Sequence, residues 1–223
     1  MNGNRCRMLQ VDGLRVTIKG FVILRGISLD VPPGGLIGLV GRNGAGKTTT
    51  LKSLMGILPV SAGSIRFDGD DLIRVPAYRR AQLGIGYMPE DRRLIGALSV
   101  EDNILLPAWA SGLEDGHQRL SSIYQLMPDV RELARRKASQ LSGGQQKLVA
   151  LARALMSGTK LLLLDEPFEG LSPAFGEKLA GTIRELQRAG LSVLMAESDL
   201  KRISFCDTIY TIERGEIIQR ADA

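Results

Sequence analysis

The stretch Leu36–Thr49, "LIGLVGRNGAGKTT", decides the fold. Leu36 to Val40 form a short apolar run ending at Gly41, the pattern of a buried strand. Gly41 to Thr48 then match G-x-x-x-x-G-K-[ST] in full, and "KTTTLKSLMG" reads as a helix closed by Gly56. Strand, glycine loop and helix in that order make a phosphate cradle. The backbone of Gly41, Arg42, Asn43, Gly44, Ala45 and Gly46 wraps the phosphates. The ammonium of Lys47 neutralises their charge, and the Thr48 hydroxyl, with Thr49 beside it, is placed for a Mg²⁺ ion. The chain is therefore read as an α/β protein of the P-loop NTPase class.

Outward from this centre, strands frame a helical middle. "GSIRFDGDDL" alternates polar and apolar residues and turns at Asp68-Gly69, which predicts an antiparallel hairpin beside the main sheet. Gly84–Met88, Lys160–Pro167 and Ser192–Ser198 read as further buried strands. From Ser99 to Ala138 the texture changes: Ser99-Val100-Glu101-Asp102 fits a capping box, and the apolar residues after it have helical spacing. The simplest account is one domain over residues 1–223 with a helical insertion at about residues 91–140.

Composition narrows the function classes. The opening "MNGNRCRMLQVDG" lacks the apolar stretch of a signal peptide, and no run approaches the roughly 18 apolar residues of a membrane span. A soluble chain is expected. Cys6 and Cys206 show neither metal-ligand spacing nor a disulfide framework, which fits a reducing cytosol. A net charge of +5 raises nucleic acid or an anionic membrane as a partner, but the basic clusters Arg79-Arg80, Arg92-Arg93 and Arg135-Arg136-Lys137 are short and read as solvated surface. Aromatic residues at 4% argue against base-stacking platforms, so no nucleic-acid partner is expected.

Two further stretches carry chemistry. In "LLLLDEP" a buried strand delivers two acids at its end: Asp165 holds Mg²⁺ through water, and Glu166 orients or deprotonates an attacking water. "SQLSGGQQKL", Ser139–Leu148, sets a serine and two glycines ahead of a helix, the make-up of a second anion site. Two phosphate sites in one small chain need an explanation.

The order of the motifs supplies one. "GRNGAGKTT", "YMPEDRRL", "LSGGQQ", "LLLLDEP" and "EGLSP" (Glu169–Pro173), in that succession, resemble the ATP-binding cassette ATPases over nearly the whole chain. The resemblance implies a RecA-like core, an antiparallel β subdomain and an inserted helical subdomain, with ATP as the nucleotide. It also implies two cassettes packed head to tail, in which the signature residues Ser142, Gly143, Gly144 and Gln145 of one close over ATP held by the phosphate loop of the other.

A narrower likeness follows. "GIGYMPEDRRLIGALSVEDNI" and "LMPDVRELARRKASQLSGGQQKLVALARALM" resemble the second ATPase subunit of branched-chain (hydrophobic) amino acid importers, with the urea importer ATPase next. Those relatives carry Pro-Glu where most cassettes have a Q-loop glutamine, as this chain does at Pro89-Glu90. Glu90 is then a candidate Mg²⁺ contact, though an anion donates no hydrogen bond. The segment Glu90–Trp109 would line a groove for a helix of the membrane subunit; Trp109 itself reads equally as core or interface. Where many cassettes stack adenine on a ring, "LRVTIKGF" places Ile18, with Phe21 as a substitute. Ser198 stands where the family has a switch histidine, which puts Ser198 beside Glu166 in the implied catalytic set. His117, the single histidine, falls in the helical insertion and reads as solvated.

The resemblance thus implies an ATPase at the cytoplasmic face of the cell membrane that powers an importer, with hydrophobic amino acids as the leading cargo. Its implied partners are a second ATPase subunit, different or identical, two transmembrane permease subunits and a periplasmic or extracellular substrate-binding protein. Two other classes stay open. A soluble cassette ATPase acting on DNA or ribosomes is opposed by the lack of a second cassette or a long coiled-coil insertion. A weakly hydrolysing regulatory cassette is suggested by Ile18, Glu90 and Ser198 and opposed by the intact Lys47, Thr48, Asp165 and Glu166.

Overall fold

The structure is a computed structural model that describes residues 7–222; Cys6 lies outside the described residues. Strands are β1 (Leu9–Ile18), β2 (Phe21–Val31), β3 (Leu36–Val40), β4 (Ala62–Phe67), β5 (Asp70–Asp71), β6 (Ile85–Met88), β7 (Leu161–Asp165), β8 (Ser192–Glu197), β9 (Thr208–Glu213) and β10 (Glu216–Asp222). Helices are α1 (Lys47–Leu54), α2 (Ala77–Gln82), α3 (Val100–Ser111), α4 (Gly116–Leu126), α5 (Pro128–Glu132), α6 (Gly143–Ser157) and α7 (Pro173–Arg188).

The strands form two sheets. One is antiparallel, in the order β2-β1-β4-β5. The other runs β10-β9-β3-β8-β7-β6, with every neighbouring pair parallel except the β10–β9 edge. In β3, β7 and β8 every residue is buried, as expected of central parallel strands covered on both faces. The pleat divides β7 between two cores. Leu161 and Leu163 pack with the β1, β2 and β4 side, and Leu162 and Leu164 pack with the helices. The sheet thereby lines up the ends of β3, β7 and β8 at one rim, where the phosphate loop begins.

Helices α3, α4 and α5 fall between β6 and β7. The Ser99 hydroxyl accepts from the Asp102 amide at 3.0 Å while the Asp102 carboxylate accepts from the Ser99 amide at 3.3 Å, so the capping box forms at the start of α3. His117 is exposed on α4, and Trp109 is 54% exposed, a surface residue of α3. Among the described residues no helix is long and apolar enough to cross a membrane.

The reading of the basic clusters as solvated surface holds for Arg135, Arg136 and Lys137, which are exposed, but fails for Arg80. Arg80 is buried and donates to the carbonyls of Ser53 and Leu54 at 3.0 and 2.7 Å, and to Val75 and Leu72 at 2.8 and 2.6 Å. The first two are end carbonyls of α1 that have no partner within the helix, and a planar guanidinium reaches several such acceptors at once. Arg92 is half-buried and bonds the Gln146 side chain of α6.

Candidate nucleotide site

Backbone sterics shape the phosphate loop. A side chain on Gly41 would place Cβ 2.3 Å from the carbonyl oxygen of Ile212, so the rim tolerates only glycine. Gly44 and Gly46 have φ of 81° and 113°, a left-handed geometry that glycine adopts without strain. Lys47 opens α1, and its ammonium donates to Gly41 O at 2.8 Å and Arg42 O at 3.4 Å. The same ammonium pairs with Glu166 Oε1 at 3.0 Å, with both side chains nearly buried. A cleft of about 460 Å³ opens against Gly41, Arg42, Asn43, Gly44 and Ala45, and is closed on its other side by Thr211 to Arg214.

β7 brings the acids to the loop. Thr48 Oγ1 donates to Asp165 Oδ1 at 3.0 Å, and the Tyr87 phenol donates to Oδ2 at 3.3 Å. Burial raises the Asp165 pKa, the two hydrogen bonds oppose the rise, and the charges of Glu90 and Glu166 add to it. A buried carboxylate beside a hydroxyl, with a second carboxylate in electrostatic reach, suits Mg²⁺, which takes one or two protein oxygens and completes its shell with phosphate and water. Glu90 is exposed in the turn after β6.

Glu166 is held in an unusual backbone state. Its φ is 47°, left-handed for a residue that is not glycine, which costs about 1–3 kcal/mol and persists only where the surroundings enforce it. Its amide donates to Ala196 O at 2.9 Å, and its carbonyl accepts from the Glu169 amide at 3.2 Å and from the Lys147 ammonium. Ser198 reaches its carboxylate with both the hydroxyl, at 3.1 Å, and the amide, at 3.3 Å. Glu197, fully buried, accepts from the Phe168 amide at 2.8 Å and meets Arg202 at 3.5 Å. Burial pushes the Glu197 carboxyl up, against the Phe168 bond that lowers it, and the neighbouring Glu166 adds to the rise.

Lys47, Thr48, Asp165, Glu166 and Ser198 are thus brought together. The signature is not part of this cluster. Ser142 caps α6, its hydroxyl accepting from the Gln145 amide at 3.3 Å while Gln145 Oε1 accepts from the Ser142 amide at 3.0 Å. Ser142 and Gly143 are exposed, Gly144 sits against the Phe175 ring, and the Ser142–Gln145 bonds are made within the helix start itself; the cleft is lined neither by these residues nor by the cluster of Lys47, Thr48, Asp165, Glu166 and Ser198. Ile18 also stays outside it: β1 turns this side chain toward the core of the antiparallel sheet, while Phe21, 75% exposed, stands across the hairpin. Sequence reasoning missed Lys147, Glu197 and Tyr87. Two of them had a visible signal, a charge on the inward face of a helix and a charge ending an apolar strand.

A sequence pattern described as "ABC transporter" matches residues 24–169. The chain belongs to the ABC transporter family. It is an ATP-binding subunit and an ATPase. This ABC ATPase is similar to the high-affinity branched-chain amino acid transport ATP-binding protein BraG of Pseudomonas aeruginosa, at 34% identity over 95% of the chain and 91% of the relative. It is equally similar to the lipopolysaccharide export system ATP-binding protein LptB of Escherichia coli, at 35% identity over 94% of the chain and 88% of the relative. Among solved structures, the ADP conformation of an ATP-binding cassette of an ABC transporter superposes with a TM-score of 0.88 at 25% identity, covering 97% of this chain and 91% of that one.

Proposed function

We propose that this ABC ATPase hydrolyses ATP with Mg²⁺ to drive a membrane importer for branched-chain or other hydrophobic amino acids. The observation that carries the chemistry is the convergence of Lys47, Thr48, Asp165 and Glu166, reinforced by Ser198, at the rim of β3, β7 and β8. In this reading Lys47 and the amides of Gly41 to Thr49 hold the β- and γ-phosphates. Thr48, Asp165 and, from its turn, Glu90 would hold the metal, which would supply positive charge beside the phosphates. Glu166 orients the attacking water and Ser198 holds the carboxylate in place. Phe21, rather than Ile18, offers a ring to adenine. Ser142 and Gly143, which are exposed, and the half-buried Gly144 and Gln145 close over the ATP of a partner cassette.

The chain is read as one nucleotide-binding domain with the helices at about residues 91–140 as its helical subdomain. It sits at the cytoplasmic face of the membrane, with a second ATPase subunit, two permease subunits and a substrate-binding protein. An apolar groove lined by Met55, Ile57, Tyr78, Ala81, Tyr87 and Pro107 suits a helix from the permease. Of the segment Glu90–Trp109 only Pro107 lines it, and Trp109 does not.

The amino-acid cargo is supported by the BraG likeness and by Pro89-Glu90. A second reading, lipid or lipopolysaccharide export, is favoured by the comparable LptB likeness. Affinity purification of the chain from its own membrane, followed by reconstitution of the co-purified subunits, separates the two. ATP-driven uptake of leucine, isoleucine or valine is expected. ATP-driven release of lipopolysaccharide without amino-acid uptake would replace this reading with the second.

A further inference from the structure

α6 carries a lysine where its inward face should be apolar. Lys147 is 1% exposed, and Ala150, Leu151 and Ala154, which follow at helical spacing, are buried with it. Its ammonium donates to the carbonyl oxygen of Glu166. Together with the Glu166–Ala196 and Glu169–Glu166 backbone bonds, this holds the left-handed Glu166 at both its amide and its carbonyl. The charged member of that clamp comes from α6. Glu169, Glu197 and Glu166 act on the ammonium as counter-charges, and Arg92 as a competing cation.

The other end of the same helix is the signature. Ser142 caps α6, and Lys147 lies about 7.5 Å further along the axis at 1.5 Å per residue. Arg92 Nη1 donates to Gln146 Oε1 at 2.8 Å, and Gln146 Nε2 donates to Leu141 O at 3.2 Å. The opening turns of α6 therefore join three segments: the signature, the turn after Glu90, and the backbone of Glu166.

We infer that Lys147 is a positioning residue for Glu166, fastening it to the helix whose first turn presents the signature, so that the two move as one body. The inference rests on the assignment of Glu166 as the water-orienting carboxylate. In a head-to-tail pair the signature of one chain meets the partner's nucleotide. Lys147 then carries any shift of α6 to the Glu166 of its own chain, which serves the other nucleotide.

The test uses the full chain in its assembled complex. Lys147→Met is expected to lower kcat about 10- to 100-fold, the scale of a misplaced catalytic group, while ATP affinity of the isolated chain stays within about twofold. In a Glu166→Gln background the same substitution should lower the rate no further, because both losses pass through one carboxylate. Amide hydrogen exchange at residues 165–170 should rise in Lys147→Met. Should that variant fail to fold, Lys147→Gln takes its place in all three measurements. An unchanged kcat, losses that multiply, or unchanged exchange would overturn the inference. A Glu166→Gln variant with the wild-type rate would remove the assignment of Glu166 as well, so the two failures are told apart.

Discussion

Ser198 Oγ donates to Glu166 Oε2 at 3.1 Å, and the Ser198 amide reaches the same oxygen at 3.3 Å. A serine at this position therefore grips the acid from within its own chain, with a neutral donor instead of an ionisable ring. Ser198→Ala keeps the amide and loses the hydroxyl. We expect kcat to fall about 10-fold, the scale of one hydrogen bond to a charged group, with KM for ATP nearly unchanged. Steady-state ATPase assays of the complex decide this; a wild-type rate would mean that the amide alone suffices.

Lys47→Ala removes the cation that faces the phosphates and also strands a nearly buried carboxylate, because Lys47 pairs with Glu166 at 3.0 Å. ATP binding should become undetectable by calorimetry. The melting temperature should also drop, since deleting one partner of a buried pair costs about 3–5 kcal/mol. Adding Glu166→Gln to Lys47→Ala is expected to recover most of the melting temperature and none of the affinity. Recovery of affinity would overturn the role given to Lys47.

Ser142→Arg tests the head-to-tail arrangement. Ser142 is exposed, and its hydroxyl bonds the Gln145 amide at the start of its own helix rather than any of Lys47, Thr48, Asp165 or Glu166. Monomer affinity for ATP should stay at the wild-type value, while ATP-dependent dimerisation, followed by light scattering with Glu166→Gln to slow turnover, should be lost. A fall in monomer affinity as deep as that of Lys47→Ala would falsify the arrangement.

Glu197 predicts a pH dependence of stability. Its carboxyl is raised from the usual 4.5 to about 7, by burial first and by Glu166 next, with Arg202 and the Phe168 amide acting the other way. Between those pH values the folded chain keeps a proton that the unfolded chain has released, so this contribution is full below pH 4.5 and is lost as pH rises through about 7. Against Glu197→Gln, which cannot ionise, the wild type should lose stability with rising pH, by at most about 1.4 kcal/mol per pH unit for one proton. Urea denaturation of both proteins between pH 5 and 8 measures the difference; parallel curves would exclude Glu197 as the source.

The frame was legible because its signals are local. Leu36 to Val40, Leu161 to Asp165 and Ser192 to Glu197 are unbroken apolar runs closed by glycine or acid, and Ser99 and Asp102 form the cap that their spacing predicts. Contacts fixed by register were not legible. Tyr87 meets Asp165 only because β6 pairs with β7 so that Tyr87 stands opposite Leu163. Ile18 illustrates the limit of alignment: it sits in the hairpin where a ring was sought, yet alternation along β1 with the buried Leu14 and Val16 turns it inward. Arg80 was misread because a pair of arginines in sequence says nothing about which one meets the end of a helix.

That arginine also bears on how the molecule transmits force. Arg80 belongs to α2, whose neighbouring Ala77, Tyr78 and Ala81 line the apolar groove, and its guanidinium is bolted to Ser53 and Leu54 at the tail of α1. Lys47 is the head of the same helix, about 10 Å away at 1.5 Å per residue. Arg80 thereby fastens the groove-lining helix α2 to the tail of α1, so a displacement of α2 strains hydrogen bonds at the end of the helix that begins with Lys47. Groove and phosphate loop thus lie at opposite ends of one short helix, whose tail is tied to the groove by the Arg80 guanidinium and by the backbone bonds of the turn that follows it.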